Sequence, residues 1–420
     1  MTDQAPPDRP ADTDRPHKPD HADPSWRPAT LAVHAGMAPD ELTGAVAPPI
    51  YQTATFAQDA VGRPRGGWEY ARTGNPTRAR LEEAVAALEG GSHGLAFASG
   101  SATTQVISAL ALPGERILCV DDVYGGTYRY FERVLHDMGV EASYHDFAND
   151  SLGELDRNLD DRTRIVWLET PTNPHLRIVD IAAIAERLAR HAGARGEKPI
   201  LVVDNTFATP MSQQPLELGA DIVFHSATKY LAGHSDTICG VLATSRADLY
   251  ERLKFLQNAI GAVPGPFDCF LVLRGLRTLA LRVERHAANA SAVAEALAGR
   301  DDIETLYFPG LGSGRHAHAQ AALAARQMRY CGGMISFVPA ARDGRSSEER
   351  ARRFAEGTRI FALAESLGGV ESLVEIPAVM THGSVANSPL QVSTALVRLS
   401  VGIEDPADLV ADIIQALDRA

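Results

Sequence analysis

A chain of 420 residues, 45% hydrophobic and 22% charged, is long enough for more than one domain and has the composition of a globular protein. A net charge of −13 with no basic stripe argues against a nucleic-acid partner, and no apolar run is long enough to span a bilayer. The four cysteines (Cys119, Cys239, Cys269 and Cys331) are widely spaced with no C-x-x-C pair, and three sit in apolar surroundings, which points to buried thiols in a reducing cytoplasm.

The leading residues, 1–30, are dense in Pro, Asp, Arg and His and almost free of apolar side chains through Arg27. They cannot bury enough surface to offset chain entropy, so disorder is expected, and without an apolar core they do not read as a secretory signal. Order is expected from Leu31. From there to about Tyr70 the chain is loop-like, with Pro48-Pro49 and Gly66-Gly67. So long a stretch is unusual inside one compact domain. An arm over residues 31–75, laid across a neighbouring subunit, would explain it.

Tyr70-Ala71-Arg72-Thr73-Gly74-Asn75-Pro76 closes the arm. Arg72 is a candidate anion ligand. Asn75 suits a helix N-cap and Pro76 the first helical position, Leu81, Ala84, Val85 and Leu88 recur at helical spacing, and Gly90-Gly91 stops the helix. A short strand then enters a helix through Ser99-Gly100-Ser101, and the N–H groups of such a helix start bind phosphate. Another apolar run, 116–120, leads to Tyr124-Gly125-Gly126, where two glycines leave room for a cofactor beside the ring. The run 164–169 ends near Asn173, and a helix is expected over 181–191. This alternation predicts an α/β fold whose mainly parallel sheet is covered by helices on both faces.

Two further runs carry the chemistry. Leu201-Val202-Val203-Asp204 and Asp221-Ile222-Val223-Phe224-His225-Ser226 are apolar, with polar residues at their C-terminal ends, the edge where open α/β sheets bind ligands. The second run continues to Thr228 and Lys229. That set suits pyridoxal phosphate. Lys229 can form a Schiff base with its aldehyde, Asp204 can pair with the ring nitrogen, and Ser226 and Thr228 can donate to the phosphate.

Beyond Leu281 the pattern changes to helices over 282–298 and 347–355 and a strand over 333–338, a smaller α+β unit. Gly310-Leu311-Gly312-Ser313-Gly314 lacks nucleotide-loop spacing and reads as a loop. His316 and His318 form an isolated H-x-H, expected to be solvated surface rather than a metal site, and no metal is expected elsewhere.

Ser226-Ala227-Thr228-Lys229-Tyr230, preceded by Val203-Asp204-Asn205-Thr206, resembles the cysteine/methionine-metabolism family of pyridoxal-phosphate enzymes, and the resemblance runs from about His34 to the C-terminus. It implies a fold-type-I, aspartate-aminotransferase-like architecture, with a large cofactor-binding domain over 76–280 and a C-terminal domain over 281–420. It also implies a homotetramer built as a dimer of dimers, in which Tyr70 and Arg72 cross to the phosphate of the other subunit's cofactor. Tyr124 would stack on the cofactor ring and aid proton transfer. Asn173 would stand beside ring and substrate, and Arg398, in Val397-Arg398-Leu399-Ser400, would clamp the α-carboxylate of a small amino-acid substrate. Arg129 and Ser372 join the implied substrate set, and Glu371 would meet the far ammonium of cystathionine.

Ser101 departs from the family pattern, since many members carry Met there, and Gly126 stands where methionine γ-lyases typically carry a reactive Cys, which counts against a methionine or homocysteine γ-lyase. The implied reaction is γ-elimination of cystathionine, with γ-replacement of an O-acylhomoserine by cysteine as the near alternative. A non-catalytic scaffold sits poorly with an intact Lys229, Asp204, Tyr124 and Arg398.

Overall fold

The computed structural model describes residues 23, 25–191, 196–386 and 388–420. Of the segment expected to be disordered, residues 1–22 and 24 lie outside them. Order begins earlier than expected, with helix Pro28–His34, because Leu31 and Ala32 are buried against Leu81, Ala84 and Val85 of helix Pro76–Leu88. The arm that follows is mostly irregular. A short hairpin of β1 (Gln58–Ala60) and β2 (Arg63–Pro64) interrupts it. Helix Pro76–Leu88 starts as expected, with Asn75 Oδ1 accepting from the N–H of Thr77 at 2.9 Å and of Arg78 at 3.3 Å.

The larger sheet contains β3 (His93–Phe97), β4 (Arg116–Val120), β5 (Glu141–His145), β6 (Thr163–Glu169), β7 (Ile200–Asp204), β8 (Ile222–Ser226) and β9 (Gly240–Thr244). Their order is β3-β9-β8-β7-β6-β4-β5. Only β9 runs against its neighbours, so the other six strands share one direction. Ile165, Val166, Trp167 and Leu168 are each 0% exposed, which is why β6 reads as a continuous apolar run. The chain places β5 outside β4 and then returns to β6 on the other side of β4. A crevice therefore opens between the ends of β4 and β6, the usual ligand position in such sheets. The helix expected over 181–191 ends at Leu188.

The second sheet has order β10-β11-β14-β13-β12, from β10 (Ile303–Tyr307), β11 (Met334–Pro339), β12 (Ala362–Leu363), β13 (Leu373–Glu375) and β14 (Val397–Ser400). Helices Leu279–Ala298, Ser347–Gly357 and Pro406–Arg419 bury Val293, Phe354 and Ile413 in a shared core with Phe337 and Leu399. His316 and His318 are not solvated: they are 8% and 9% exposed. The loop folds inward there, with His318 Nε2 lying 3.1 Å from the carbonyl of Leu176. Cys119, Cys239 and Cys269 are buried, Cys331 is half-buried, and all are free thiols. Among the described residues no helix is long and apolar enough to cross a membrane.

Candidate active site

The parallel strands deliver their last residues to one edge. There a cavity of about 300 Å³ is lined by Ser99, Gly100, Ser101, Tyr124, Asn173, Asp204, Ser226, Thr228, Lys229 and Arg398. Ten of the residues expected from sequence thus meet in space, although they come from both sheets.

Lys229 follows β8 in a turn, its N–H donating to Ser226 O at 3.1 Å, and its Nζ donates to Ser366 Oγ at 2.8 Å. Burial, with the Arg398 guanidinium nearby, pulls the ammonium down to about 8. Asp204 closes β7. Burial raises its carboxyl above the usual range, while Thr206 opposes this, donating from its N–H at 2.9 Å and its Oγ1 at 2.5 Å. Ser99 caps helix Gly100–Ser108 by accepting from Ala102 N at 3.0 Å. The first N–H groups of that helix then lack helical acceptors. A Cβ on Gly100 would come within 2.9 Å of Ser226 Cβ, so this position lets the helix start approach β8. Thr228 Oγ1 already lies 3.2 Å from Cys239 O and accepts from Cys239 N at 3.0 Å, which ties its hydroxyl to the chain entering β9.

Arg398, 3% exposed, sits mid-β14. It donates from Nη1 to Asn173 Oδ1 and from Nη2 to Ser366 O, each at 3.0 Å, and Nη2 is 3.0 Å from Glu375 Oε1. Its Nε is buried without a partner, an open donor on the fork.

Five expected residues are placed elsewhere. Tyr70 and Arg72 are exposed and do not line this chain's cavity. Arg72 Nε reaches Asn258 Oδ1 at 3.3 Å, and buried Arg78 holds the carbonyls of Ala71 and Arg72 at 2.6 and 3.1 Å. Arg129 is exposed on helix Gly125–Tyr130, outside the lining. Ser372 is 0% exposed, donating to Glu404 Oε2 at 2.9 Å and accepting from Gly402 N at 2.8 Å, so it has no path to a substrate. Glu371 accepts from Ser235 Oγ in an adjoining cavity of about 760 Å³. The acidic side chain common to both cavities is Glu365, which sequence reasoning passed over.

Also missed were Glu169, Thr206, Ser366 and Glu375. Glu169 and Thr206 were legible as polar residues at or just past strand ends, whereas Ser366 and Glu375 reach the site only through the packing of the second sheet. The glycines beside Tyr124 have a different task from the one expected. A Cβ on Gly126 would strike the Tyr124 ring, and one on Gly125 would lie 2.8 Å from Thr381 O.

An amine of lowered basicity, a buried carboxylate held by two donors, and an anion-binding helix start share one cavity, and this donor set fits an aldehyde cofactor carrying a phosphate. Fold and site together define a fold-type-I pyridoxal-phosphate enzyme. Residues 29–418 match the Cys/Met metabolism PLP-dependent enzymes, and the chain belongs to that family. It is 52% identical over 392 residues to a cystathionine gamma-synthase of Mycobacterium tuberculosis, covering 93% of this chain and 96% of the relative. It is 48% identical over 398 residues to a cystathionine gamma-lyase of Dictyostelium discoideum, covering 94% and 98%. The crystal structure of metB from Corynebacterium glutamicum is 46% identical and superposes with a TM-score of 0.89, over 94% of this chain and 99% of that one.

Proposed function

We propose that this protein is a cystathionine γ-lyase, converting L-cystathionine to cysteine, 2-oxobutanoate and ammonia. The observation that carries the reading is the join between the two cavities. Lys229, Asp204 and Arg398 occupy one, and Glu365 connects it to a second lined by Asp236, Asp268 and Glu371. A long substrate with an α-amino acid at each end fits that layout: its reacting end meets Lys229 and Arg398, and its distal ammonium lies among carboxylates. Relatives named cystathionine gamma-lyase at 47–49% identity support the reading.

When bound, the cofactor supplies an electron sink for negative charge developing on the substrate carbons. Arg398 orients the substrate through its carboxylate, using the open Nε and the Nη edge. Asp204, as a carboxylate, keeps the ring nitrogen protonated. Lys229 would hold the cofactor, and its free Nζ would be the base that takes the proton from Cα of the substrate. Its lowered basicity leaves a substantial neutral fraction near neutral pH. Once it had given up the Cα proton, Lys229 Nζ would take the next one from Cβ, and that proton or one from Tyr124 Oη would go to the departing sulfur, with hydrolysis then giving 2-oxobutanoate and ammonia.

γ-Replacement of an O-acylhomoserine by cysteine is the second reading, favoured by relatives named cystathionine gamma-synthase at 52% identity. Both readings place cystathionine in the same cavities. We assign the working form as a homotetramer, a dimer of dimers. Exposed Leu42 and Val46 on the arm (80% and 72%) and the position of Arg72 away from its own cavity support sites shared across the dimer. Free thiols support a cytoplasmic location.

Two feeds test the function: cystathionine alone, and an O-acylated homoserine with cysteine. Rapid 2-oxobutanoate from the first with little synthesis from the second is expected. Net cystathionine formation would make the protein a synthase, and silence in both would overturn the substrate class.

A further inference from the structure

Glu169 has no role in the chemistry above, yet its position is specific. It ends β6 beside the crevice where the sheet reverses, it lines the cavity, and it is 4% exposed. Its register partner on β7 is Asp204. Its Oε2 accepts the backbone N–H of Tyr124 at 2.9 Å, from the loop that follows β4. One carboxyl therefore spans the crevice, with the ring-facing Asp204 on one flank and the backbone of Tyr124 on the other.

The loop it holds has little slack. Helix Gly125–Tyr130 begins at the next residue, the Tyr124 ring lies against Gly126, and Gly125 is close to Thr381 O. Moving the Tyr124 N–H would therefore move the ring with it. The charged groups facing Glu169 are Asp204 from β7, Asp122 from the loop after β4, and Arg398 from β14. Burial first, and the Asp204 charge second, push the Glu169 carboxyl well above the usual range. Asp204 has two donors from Thr206 and Glu169 has the one from Tyr124, so the shared negative charge belongs on Asp204.

We propose that Glu169 is a positioning residue for Tyr124: its carboxyl fixes the loop backbone that presents the ring to the bound cofactor. The role needs a hydrogen-bond acceptor and no charge. It rests on the reading that Tyr124 faces the cofactor, and it is independent of which amino acid is the substrate.

The test compares holoenzymes carrying Glu169→Ala and Glu169→Gln with the unaltered protein. Visible circular dichroism per bound cofactor, recorded without any amino acid, reports how asymmetrically the ring is held. We expect Glu169→Ala to lose at least about half of this signal and to lower kcat about tenfold with KM little changed, the pattern of a misplaced catalytic group. Glu169→Gln, which keeps an acceptor of the same length, should restore most of the dichroism. Should the alanine form fail to fold, Glu169→Met fills the volume without a strong acceptor and serves the same comparison. Wild-type dichroism in the Ala or Met form would overturn the proposal, as would a Gln form as impaired as Ala. Because the optical signal needs no substrate, an error in the substrate assignment would show only in turnover and would leave this comparison intact.

Discussion

Thr206 Oγ1 lies 2.5 Å from Asp204 Oδ1 and accepts the N–H of Ser226 at 2.9 Å, so one hydroxyl ties the ring-pairing carboxylate to the start of the Lys229 turn. A hydrogen bond to a charged group is worth about 1.5–3 kcal/mol. Thr206→Val removes it while keeping the shape and the backbone donor. Asp204 should then hold its charge less well, and kcat should fall about tenfold. Steady-state kinetics at saturating cofactor check this; an unchanged kcat would show that the backbone N–H alone suffices.

Arg398→Ala should raise KM by roughly 10- to 150-fold, the equivalent of about 1.5–3 kcal/mol for a lost charged hydrogen bond. It also takes from buried Glu375 its ion-pair partner, leaving only the more distant Lys229 ammonium, so the melting temperature should drop as well. Arg398→Lys should recover little, because a point charge cannot reproduce the planar fork. KM close to wild type in the alanine variant would remove Arg398 from substrate binding.

Lys229→Ala should abolish turnover. Mass spectrometry of borohydride-treated protein should find cofactor attached at residue 229 in the wild type and nowhere in the variant. Turnover at the wild-type rate in the variant would end the mechanism.

The rate at which cofactor-free protein captures pyridoxal phosphate should follow the neutral fraction of Lys229. The folded protein holds this ammonium at about 8, below the ordinary ~10.4, so it loses its proton earlier as pH rises. Below pH 8 the capture rate should therefore climb about tenfold per unit, and above it should level off. Stopped-flow absorbance across the range gives the profile. A rate still climbing towards pH 10 would mean that the amine is not depressed.

Mixing Arg72→Ala with Lys229→Ala subunits tests the shared site. Each hybrid dimer would hold one doubly altered and one intact site, so random exchange should restore about a quarter of wild-type activity from two inactive parents. Activity that stays at the parental level after exchange would confine Arg72 to its own subunit.

Much of this site was legible in sequence because a parallel sheet writes it plainly. Strands buried on both faces are apolar until they reach the ligand edge, so Asp204 and Ser226 stand out where the apolar runs stop. The N-capped helix from Pro76 was legible for the same reason, since its signals are local. The region between β12 and β13 gave no comparable signal. Glu365 and Glu371 stand six residues apart in a non-periodic loop that turns at Ser366 with φ 97°, and only the folded chain shows which of them opens onto the Lys229 cavity. The same applies to Glu375, which is an ordinary strand residue until β13 is laid beside β14. His316 and His318 look solvated in a polar loop, yet both are buried, and His318 reaches the distant carbonyl of Leu176.

The Arg398–Glu375 contact has a bearing on how the pocket behaves in a crowded solution. A bare guanidinium in a buried hollow would collect chloride, phosphate and stray organic acids. Here the resting charge is already cancelled by a neighbour on the adjacent strand, and only the Nε edge is left vacant. A small spherical anion gains little from a neutral pair. A carboxylate that approaches in the plane of the fork gains a directed bond. At Arg398 the pocket is thus selective for shape before it is selective for charge.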